Sequence, residues 1–463
     1  MTDDRAKTRK IIKGTGIYAV GTFGTKILSF LIVPLYTYYI ATGEMGLYDI
    51  FMTLVSLLTP LITMQISDAA YKYLINEETE NKESYIRACV QVLFFNCVIA
   101  SLIVIAVGSF VNIKYLYYFA AVLIISRSYQ TLYKILRGLG NQWLFVASGL
   151  TYTVVLLTLN IIRICVFKTG IDGLFRSQID AGLVTLIMIF VFEKRLRISY
   201  LGKPDIPLIK KMLGFSIPLV PNYLNWWVID SSDKLIVYLV LGPAANGILF
   251  VANKFPTMLS AVLQLFTNSW TDVSVADGEK NEGEYYGKVF KNYCRFVFML
   301  LLFLIPVTKV FIHLVMGPDY KQACDYVSFY YLGAVFQSFS SFYSVGYMKS
   351  GKTIGALVTS LVGAAVNMVV DIALIYLVGL HAAAISTFIG FFVMWILRER
   401  QNRDKLNIRV DKKIIAVCTL ASIGMCILSI FTNLYINGAL AAVFAVLFLV
   451  TNIDMIKKII KRS

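Results

Sequence analysis

Charged residues are scarce in this sequence, and the residues that usually build catalytic centres are scarcer. Asp, Glu, Lys and Arg make up 15% of the 463 residues, whereas about 25% is typical of soluble domains. There are two histidines, and no nucleophile elbow, zinc-ligand spacing, phosphate-binding glycine loop or Walker motif occurs. The sequence therefore predicts that the chain is not an enzyme and does not hydrolyse ATP.

A cysteine framework is also missing. The seven cysteines are odd in number, fall mostly within apolar runs and lack the spacing of metal ligands. We interpret them as reduced, small core residues. We predict no metal site and no bound cofactor.

Long polar stretches are absent as well, which leaves no room for a soluble domain. Hydrophobic residues make up 58% of the chain, the mean hydropathy is +0.71, and runs of the roughly 20 apolar residues that cross a bilayer recur from end to end. This pattern predicts an all-α polytopic membrane protein with about fourteen transmembrane helices, or twelve if neighbouring runs are merged. The predicted spans are 14–40, 45–75, 85–111, 115–137, 143–167, 172–192, 209–240, 245–275, 287–315, 323–348, 353–378, 380–397, 413–432 and 436–455.

The net charge of +16 is spread over alternate loops and does not form one patch for nucleic acid. The basic segments are 5–13, 194–211, 280–291, 398–413 and 457–462, and the predicted spans place all of them on one side of the membrane. Cytoplasmic loops are enriched in Lys and Arg. We therefore predict that both termini are cytoplasmic and that nucleic acid is not a partner.

Weak internal symmetry predicts two pseudo-repeated lobes. The turn ATGEMGLYDIF after the first span and the turn LGPAANGILFVANKFP after the seventh both join a glycine-containing link to an aromatic residue, and each following helix carries an early proline, Pro60 or Pro256. Such repeats are typical of transporters. The predicted parts are a basic cytoplasmic N-terminus at 1–13, a six-helix N-lobe at 14–192, a cytoplasmic linker at 193–208, a six-helix C-lobe at 209–397, a basic cytoplasmic loop at 398–412, and two additional helices with a cytoplasmic tail at 413–463.

Four of the predicted helices carry a polar stripe at helical spacing. They are the first two helices of each half, and this symmetry predicts a water-filled central cavity between two lobes. The alternative is that these side chains only join helices through hydrogen bonds. The stripes comprise Thr15, Tyr18, Thr22, Lys26, Ser29 and Tyr36; Asp49, Thr53, Ser56, Thr63 and Ser67; Asn222, Asn225, Trp226 and Asp233; and Asn253, Thr257, Ser260, Gln264, Thr267, Asn268 and Thr271.

Cations inside the predicted spans point to an anionic ligand. A cation at mid-membrane depth costs about 2.5–3.5 kcal/mol, so such residues usually face a wet cavity or a partner. Arg and Lys bind phosphate oxygens, and Arg contacts two of them at once. The candidate head-group residues are Lys26, Arg127, Arg163, Arg176 and Lys254. For Arg163 and Arg176, which lie toward helix ends, snorkelling to the interface is the alternative.

Acidic residues inside the predicted spans are candidates for coupling transport to an ion gradient. Asp68, Asp233 and Asp371 have the chemistry to carry a proton or a sodium ion, and an internal ion pair is the alternative role. Asp230 lies one helical turn before Lys234, a spacing at which two opposite charges can neutralise each other.

The opening stretch KGTGIYAVGTFGTKILSFLIVPLYTYYIATGEMGLYDIF resembles the amino-terminal signature of Wzx-like polysaccharide flippases. These transporters of O-antigen, capsule or exopolysaccharide units belong to the multidrug/oligosaccharidyl-lipid/polysaccharide (MOP) superfamily. The stretch FSIPLVPNYLNWWVIDSSDKLIVYLVLGPAANGILFVANKFP in the second half is similar to the family in its proline-rich beginning, tryptophan, acidic–basic pair and glycine–aromatic turn. The residues that carry the first likeness are Gly21, Gly24, Lys26, Pro34, Tyr36, Glu44, Gly46, Tyr48 and Asp49.

The resemblance implies a MATE-like fold and a flippase in the bacterial cytoplasmic membrane. It implies that undecaprenyl-pyrophosphate-linked oligosaccharide repeat units are flipped by alternating access for surface polysaccharide biosynthesis. The implied partners are that lipid-linked glycan, membrane lipids and the polysaccharide polymerase machinery, with an H⁺ or Na⁺ gradient in place of a cofactor. Lys26 and Arg127 would then attract the pyrophosphate and sugar acids. The sugar contacts would be Asn222, Asn225, Trp226, Asn253, Gln264 and Asn268, with Trp226 stacking on a sugar ring.

Three alternatives remain open at this point. A MATE-type multidrug exporter would have a predominantly acidic cavity, which the second half partly offers. A lipid II flippase would differ in sugar contacts. A membrane polysaccharide polymerase or glycosyltransferase, from a different class, is expected to carry a large external loop, and the predicted external loops are short.

Overall fold

A computed structural model describes residues 24–76, 81–110, 113–199, 202–276, 283–351, 354–403, 406, 408 and 412–460. Over these ranges the chain is almost entirely helical and contains no strand, which confirms the predicted all-α class. The predicted N-terminal tail and the first part of the predicted first span lie outside the described residues. Four residues singled out from the sequence therefore lie there too, namely Thr15, Tyr18, Gly21 and Thr22.

Eighteen helices follow one another in the described part of the chain. They are α1 (24–31), α2 (Val33–Tyr39), α3 (Thr42–Thr63), α4 (Ile66–Ile75), α5 (Lys82–Phe110), α6 (Leu116–Gly138), α7 (Gln142–Asn160), α8 (Gly170–Phe192), α9 (Lys194–Ser199), α10 (Ile206–Ser216), α11 (Val220–Leu241), α12 (Pro243–Ala276), α13 (Gly283–Val315), α14 (Ala323–Lys349), α15 (Ile354–Val378), α16 (His381–Asn402), α17 (Lys412–Phe431) and α18 (Leu434–Ile460). Short 3₁₀ turns occur at Ile217–Leu219 and Pro318–Tyr320, and a π-helical turn extends α7 over Ile161–Val166.

Ten helices in the described ranges are long and apolar enough to cross a membrane: α3, α5, α7, α8, α12, α13, α15, α16, α17 and α18. Three more helices, α6, α11 and α14, are each at least 22 residues long and coincide with predicted spans. They are less apolar because charged or hydroxyl side chains interrupt them, and the first predicted span is described only in part. The chain is a multi-pass membrane protein, and fourteen is an approximate count of its spans.

The chain divides into two compact units. Unit 1 comprises Met1–Ile40 and Tyr48–Trp227, and unit 2 comprises Ala41–Leu47 and Val228–Ser463. The first part of α11 therefore belongs to unit 1 and the rest of it to unit 2. The assignment of the helices to two repeated six-helix lobes with two additional helices stays a prediction.

In unit 1, the second predicted span is broken into α3 and α4. Pro60 lies inside α3, and Met64 and Gln65 adopt left-handed backbone angles, with φ of 47° and 51°. Proline cannot donate to the helical ladder, and left-handed residues end it. The side-chain amide of Asn96 on α5 donates to the Ile62 carbonyl oxygen at 2.7 Å. This contact satisfies a backbone acceptor at the break, as burial in a membrane protein requires.

The core of unit 2 is built around α14, which is buried along most of its length. Trp270 on α12 stacks on Phe342 with ring centroids 4.2 Å apart, and its indole N–H donates to the Phe342 carbonyl oxygen at 3.1 Å. Phe336 contacts Trp395 on α16 with centroids 5.3 Å apart. These aromatic pairs fix α12, α14 and α16 around one centre.

The two turns that the sequence pairs by similarity contact each other within unit 2. The Asn246 side-chain amide donates to the Gly46 carbonyl oxygen at 3.0 Å. A Cβ atom at Gly46 would overlap the carbonyl oxygen of Pro243, and one at Gly247 would overlap that of Thr42. The start of α3 and the start of α12 therefore approach backbone to backbone, and only glycine leaves room for this.

We expect Gly46→Ala to destabilise the protein, because the new methyl group overlaps backbone that has no free direction to move. Overpacking of this kind costs about 1–3 kcal/mol. The measurement is the thermal unfolding midpoint of the purified protein in detergent. Gly43→Ala is the matched control, since it lies on the same helix and its Cβ would meet nothing within 4 Å. Equal midpoints for the two variants would show that the close approach is absent.

Candidate functional site

Arg127 is a cation of unit 1 that has no acidic partner among the described residues. It lies at the centre of α6 and is half-buried, and its Nε donates to the Ser126 hydroxyl at 3.2 Å. The centre of a helix of this length lies near mid-membrane depth. Lys26, the other predicted deep cation of unit 1, is exposed on α1.

The other three predicted head-group cations have partners. Arg163, in the π-helical turn, forms an ion pair with Asp180 on α8 at 2.5 Å. Arg176 on α8 donates from Nε to the Tyr118 hydroxyl at 2.8 Å. Lys254 belongs to unit 2, where its Nζ lies 4.1 Å from the ring centroid of Phe250. Four of the five predicted head-group cations therefore belong to unit 1 and one belongs to unit 2.

Asp68 is held in a polar triad of unit 1. Lys134 on α6 forms an ion pair with its Oδ1 at 2.6 Å, and the Tyr223 hydroxyl donates to its Oδ2 at 3.0 Å. Both carboxylate oxygens of Asp68 are thus occupied within unit 1. The sequence analysis missed Lys134, although it lies two turns from Arg127 on the same face of α6.

Asp233 and Asp371 are the most deeply buried carboxylates of unit 2, with 2% and 0% of their surface exposed. The Tyr330 hydroxyl donates to Oδ2 of Asp233 at 2.8 Å, and the Lys234 backbone N–H donates to Oδ1 at 2.9 Å. Neither oxygen of Asp371 has a hydrogen-bond partner in the described part of the chain. Asp233 lies near enough for its charge to act on Asp371.

A polar pocket of about 290 Å³ lies inside unit 2, between one face each of α11, α12, α14 and α16. Its residues repeat at helical spacing along each helix, which places them on those faces. They are Ile229, Asp230, Asp233 and Lys234 of α11; Asn253, Pro256, Thr257 and Ser260 of α12; Tyr330, Ala334 and Gln337 of α14; and Thr387 and Phe391 of α16.

The six predicted sugar contacts are divided between the units. Asn222, Asn225 and Trp226 belong to unit 1, and the buried Asn225 amide has no hydrogen-bond partner within the described residues. In unit 2, Asn253 lines the polar pocket. Gln264 and Asn268 are exposed on α12 and bond to each other at 2.7 Å.

Some groups of the polar stripes join helices through hydrogen bonds, as the alternative predicts, and others bond within their own helix. The indole N–H of Trp227 donates to the Thr53 carbonyl oxygen at 3.1 Å and to the Ser56 hydroxyl at 2.9 Å. On α12 the Thr257 hydroxyl donates to the Asn253 carbonyl oxygen at 2.7 Å. A polar stripe is therefore a weaker signal for a ligand than an uncompensated charge.

Sequence reasoning missed the part of the polar pocket that comes from α14 and α16. Tyr330 and Gln337 lie two turns apart on α14 and so share one face, but the serines distributed around this helix hide that face in the sequence. Thr387 and Phe391 gave no signal, because α16 has no polar stripe.

The fold is that of MOP-superfamily transporters. Lipid II flippase MurJ, in an inward closed conformation, superposes with a TM-score of 0.67 at 15% identity, over 95% of this chain and 99% of that chain. An inward-facing MATE-family multidrug resistance transporter superposes with a TM-score of 0.66 at 14% identity, over 82% of this chain and 94% of that chain. A MOP superfamily transporter from Pyrococcus furiosus superposes with a TM-score of 0.53 at 17% identity, over 85% of this chain and 93% of that chain.

Residues 11–271 match the polysaccharide biosynthesis protein family, which covers more than half of the chain. The protein belongs to this family, and the resemblance to Wzx-like flippases of the MOP superfamily is confirmed. No curated protein sequence matches it.

The Asp68 triad generates a stability prediction. We expect Asp68→Asn and Lys134→Gln each to lower the free energy of unfolding. The double variant should lose less unfolding free energy than the two single variants lose in sum. Pairs in contact couple by about 0.5–3 kcal/mol, and this partly exposed pair is expected near the low end. Chemical or thermal unfolding of the four proteins in detergent measures the coupling. Strict additivity would contradict the ion pair.

Proposed function

We propose that the protein flips undecaprenyl-pyrophosphate-linked oligosaccharide repeat units across the bacterial cytoplasmic membrane for surface polysaccharide biosynthesis. Both termini face the cytoplasm in this proposal, and the chain acts as a transporter by alternating access and not as an enzyme. Family membership and the MOP fold support it. The observation that carries it is Arg127, a mid-helix cation with no acidic partner in the described residues.

Arg127 suits a pyrophosphate for two reasons. An uncompensated charge at this depth is costly, so a ligand that compensates it gains affinity. A guanidinium also presents paired donors that fit two phosphate oxygens. Lys26 is the second head-group residue in the proposal. Arg163 is expected to contribute less, because Asp180 already neutralises it.

In this proposal the lipid tail stays in the bilayer, where it needs no protein contact, and the flipped unit passes to the polysaccharide polymerase machinery. A lipid II flippase would differ from this proposal in its sugar contacts. A multidrug exporter is the second candidate, and the observation that favours it is the pair of carboxylates, Asp230 and Asp233, in the pocket of unit 2.

Genetic complementation tests the proposal. Deleting the gene is expected to abolish surface polysaccharide and to leave lipid-linked repeat units on the cytoplasmic leaflet. Wild type restores the polysaccharide, and Arg127→Ala lowers flipping about 10- to 100-fold, because charged hydrogen bonds contribute about 1.5–3 kcal/mol. The measurement is surface polysaccharide per cell at matched membrane expression.

Lys288→Ala is the control, since Lys288 is exposed and pairs with Glu284 one turn away. This variant should restore surface polysaccharide fully. Normal polysaccharide after deletion, together with altered sensitivity to cationic drugs, would overturn the flippase in favour of the exporter. Full rescue by Arg127→Ala would leave the family assignment intact and refute the head-group site.

We further propose that Asp371 and Asp233 bind the coupling ion, H⁺ or Na⁺. A buried carboxylate without a partner is costly, and such groups persist in membrane proteins where they bind an ion. Asp371 meets that condition within the described residues. Asp68 does not, because Lys134 and Tyr223 occupy both of its oxygens.

We expect Asp371→Asn to raise the unfolding midpoint in sodium-free buffer, because it removes a buried charge, and to abolish flipping. Wild type should gain stability with saturating ion, about 2.7 kcal/mol at a hundredfold excess over Kd. The ion should not stabilise Asp371→Asn, whereas it should stabilise Asp68→Asn as much as the wild type. Thermal unfolding in sodium against choline salts, at acidic and neutral pH, identifies the ion. An unchanged ion response in Asp371→Asn would refute this site.

A further inference from the structure

The pocket of unit 2 has the size of a subsite and not of a complete glycan site. Its volume is about 290 Å³, at the lower limit of the roughly 300–1,000 Å³ that small-molecule sites occupy. One sugar ring fits such a volume, whereas a repeat unit of several sugars does not. Three of the four surrounding helices, α12, α14 and α16, are joined by the aromatic core of unit 2, and the hydrogen bond from Tyr330 to Asp233 joins α11 to α14.

Several polar groups that line the pocket are left to bind a ligand. The Asp230 carboxylate is exposed and forms no hydrogen bond within the described residues, and Lys234, one turn away, is the cation whose charge acts on it. The Asn253 side chain likewise has no hydrogen bond within the described residues. Gln337 accepts a weak bond from the Ser260 hydroxyl at 3.4 Å and keeps its NH₂ group available. Together these groups offer acceptors and donors to a ring of hydroxyls.

The remaining lining is apolar and lies beside these groups. Ile229 and Pro256 contribute aliphatic surface, and Ala334 and Phe391 complete it from α14 and α16. A pyranose has hydroxyls around its edge and C–H groups on its faces. A pocket with convergent polar groups and an apolar wall matches both parts of that ligand.

The charges of the pocket decide which sugars it accepts. Two carboxylates, Asp230 and Asp233, line it together with one ammonium group, that of Lys234. Two like charges about 4 Å apart repel each other at the dielectric constants of water and of protein surfaces. The excess of acid therefore disfavours a sugar carboxylate and favours hydroxyls or an ammonium group.

We propose that this pocket is a sugar subsite for one neutral or amino-bearing pyranose of the transported glycan, and that it discriminates against acidic sugars. The inference rests on the proposed flippase function and adds the class of sugar. Asp230 sets the charge preference, and Asn253 and Gln337 bind ring hydroxyls. This subsite belongs to unit 2, whereas the proposed pyrophosphate residue Arg127 belongs to unit 1.

The test measures binding of three small probes to the purified full-length protein: methyl glucosaminide, methyl glucoside and methyl glucuronide. Ligand-detected NMR gives a Kd for each. We expect the glucosaminide to bind best and the glucuronide worst. Asp230→Asn should reduce the ratio of the glucuronide Kd to the glucosaminide Kd about tenfold, equivalent to 1.4 kcal/mol. A ratio does not depend on the fraction of folded protein.

Asn253→Ala and Gln337→Ala should weaken the binding of all three probes alike. Ser269→Ala is the control on the same helix, since Ser269 is exposed and its hydroxyl bonds to its own helix at Leu265; it should leave every Kd unchanged. Equal binding of the three probes, or a ratio that Asp230→Asn leaves unchanged, would overturn the subsite.

The outcome is separable from the function test. If complementation gives the expected result but Asp230→Asn leaves the ratio of the glucuronide Kd to the glucosaminide Kd unchanged, only the assignment of the pocket is wrong. If tetraphenylphosphonium binds more tightly than every glycoside and Asp230→Asn weakens its binding, the pocket is a drug site, which refutes the subsite. Failure of the proposed function would show independently, as normal surface polysaccharide after deletion of the gene.

Discussion

The cost of placing charge inside a membrane-spanning helix governs this protein. Most of its interior charges are compensated within the fold. Arg163 pairs with Asp180, and Lys134 pairs with Asp68. Lys309, 6% exposed, donates to Asp325 and to the carbonyl oxygens at the end of α17. Buried Arg398 is satisfied by neutral oxygens, among them the Ser360 hydroxyl at 2.8 Å. These contacts hold the helices together and leave their charges unavailable to a ligand.

Arg127, Asp371 and Asp230 form no ion pair within hydrogen-bond distance among the described residues, and each has a part in the proposed function. Arg127 in unit 1 is suited to a phosphate group. Asp371 in unit 2 is suited to a small cation, and Asp230 opens on a pocket of sugar-ring size. A lipid-linked glycan transported by an ion gradient contains a diphosphate and sugars and needs a coupling ion. The two units thus supply chemically different groups, cationic in one and acidic in the other.

The sequence predicted the helical class, the approximate positions of the spans and the two similar turns, because hydrophobic runs and glycine spacing are local signals. It also identified Arg127, Asp233 and Asp371, since a charge in an apolar run is visible without a structure. It did not predict that Lys134 reaches Asp68, or that Tyr330 reaches Asp233. Those contacts depend on how α4, α6, α11 and α14 pack, and residue spacing within one helix does not encode that packing.

The central claim is that an uncompensated arginine at mid-helix selects a diphosphate. Native mass spectrometry of the purified protein with equimolar undecaprenyl pyrophosphate and undecaprenol measures that selection directly. The account predicts a clear preference for the pyrophosphate that Arg127→Ala removes and Arg127→Lys partly keeps. Equal occupancy by the two lipids in the wild-type protein, or a preference that survives Arg127→Ala, would contradict it.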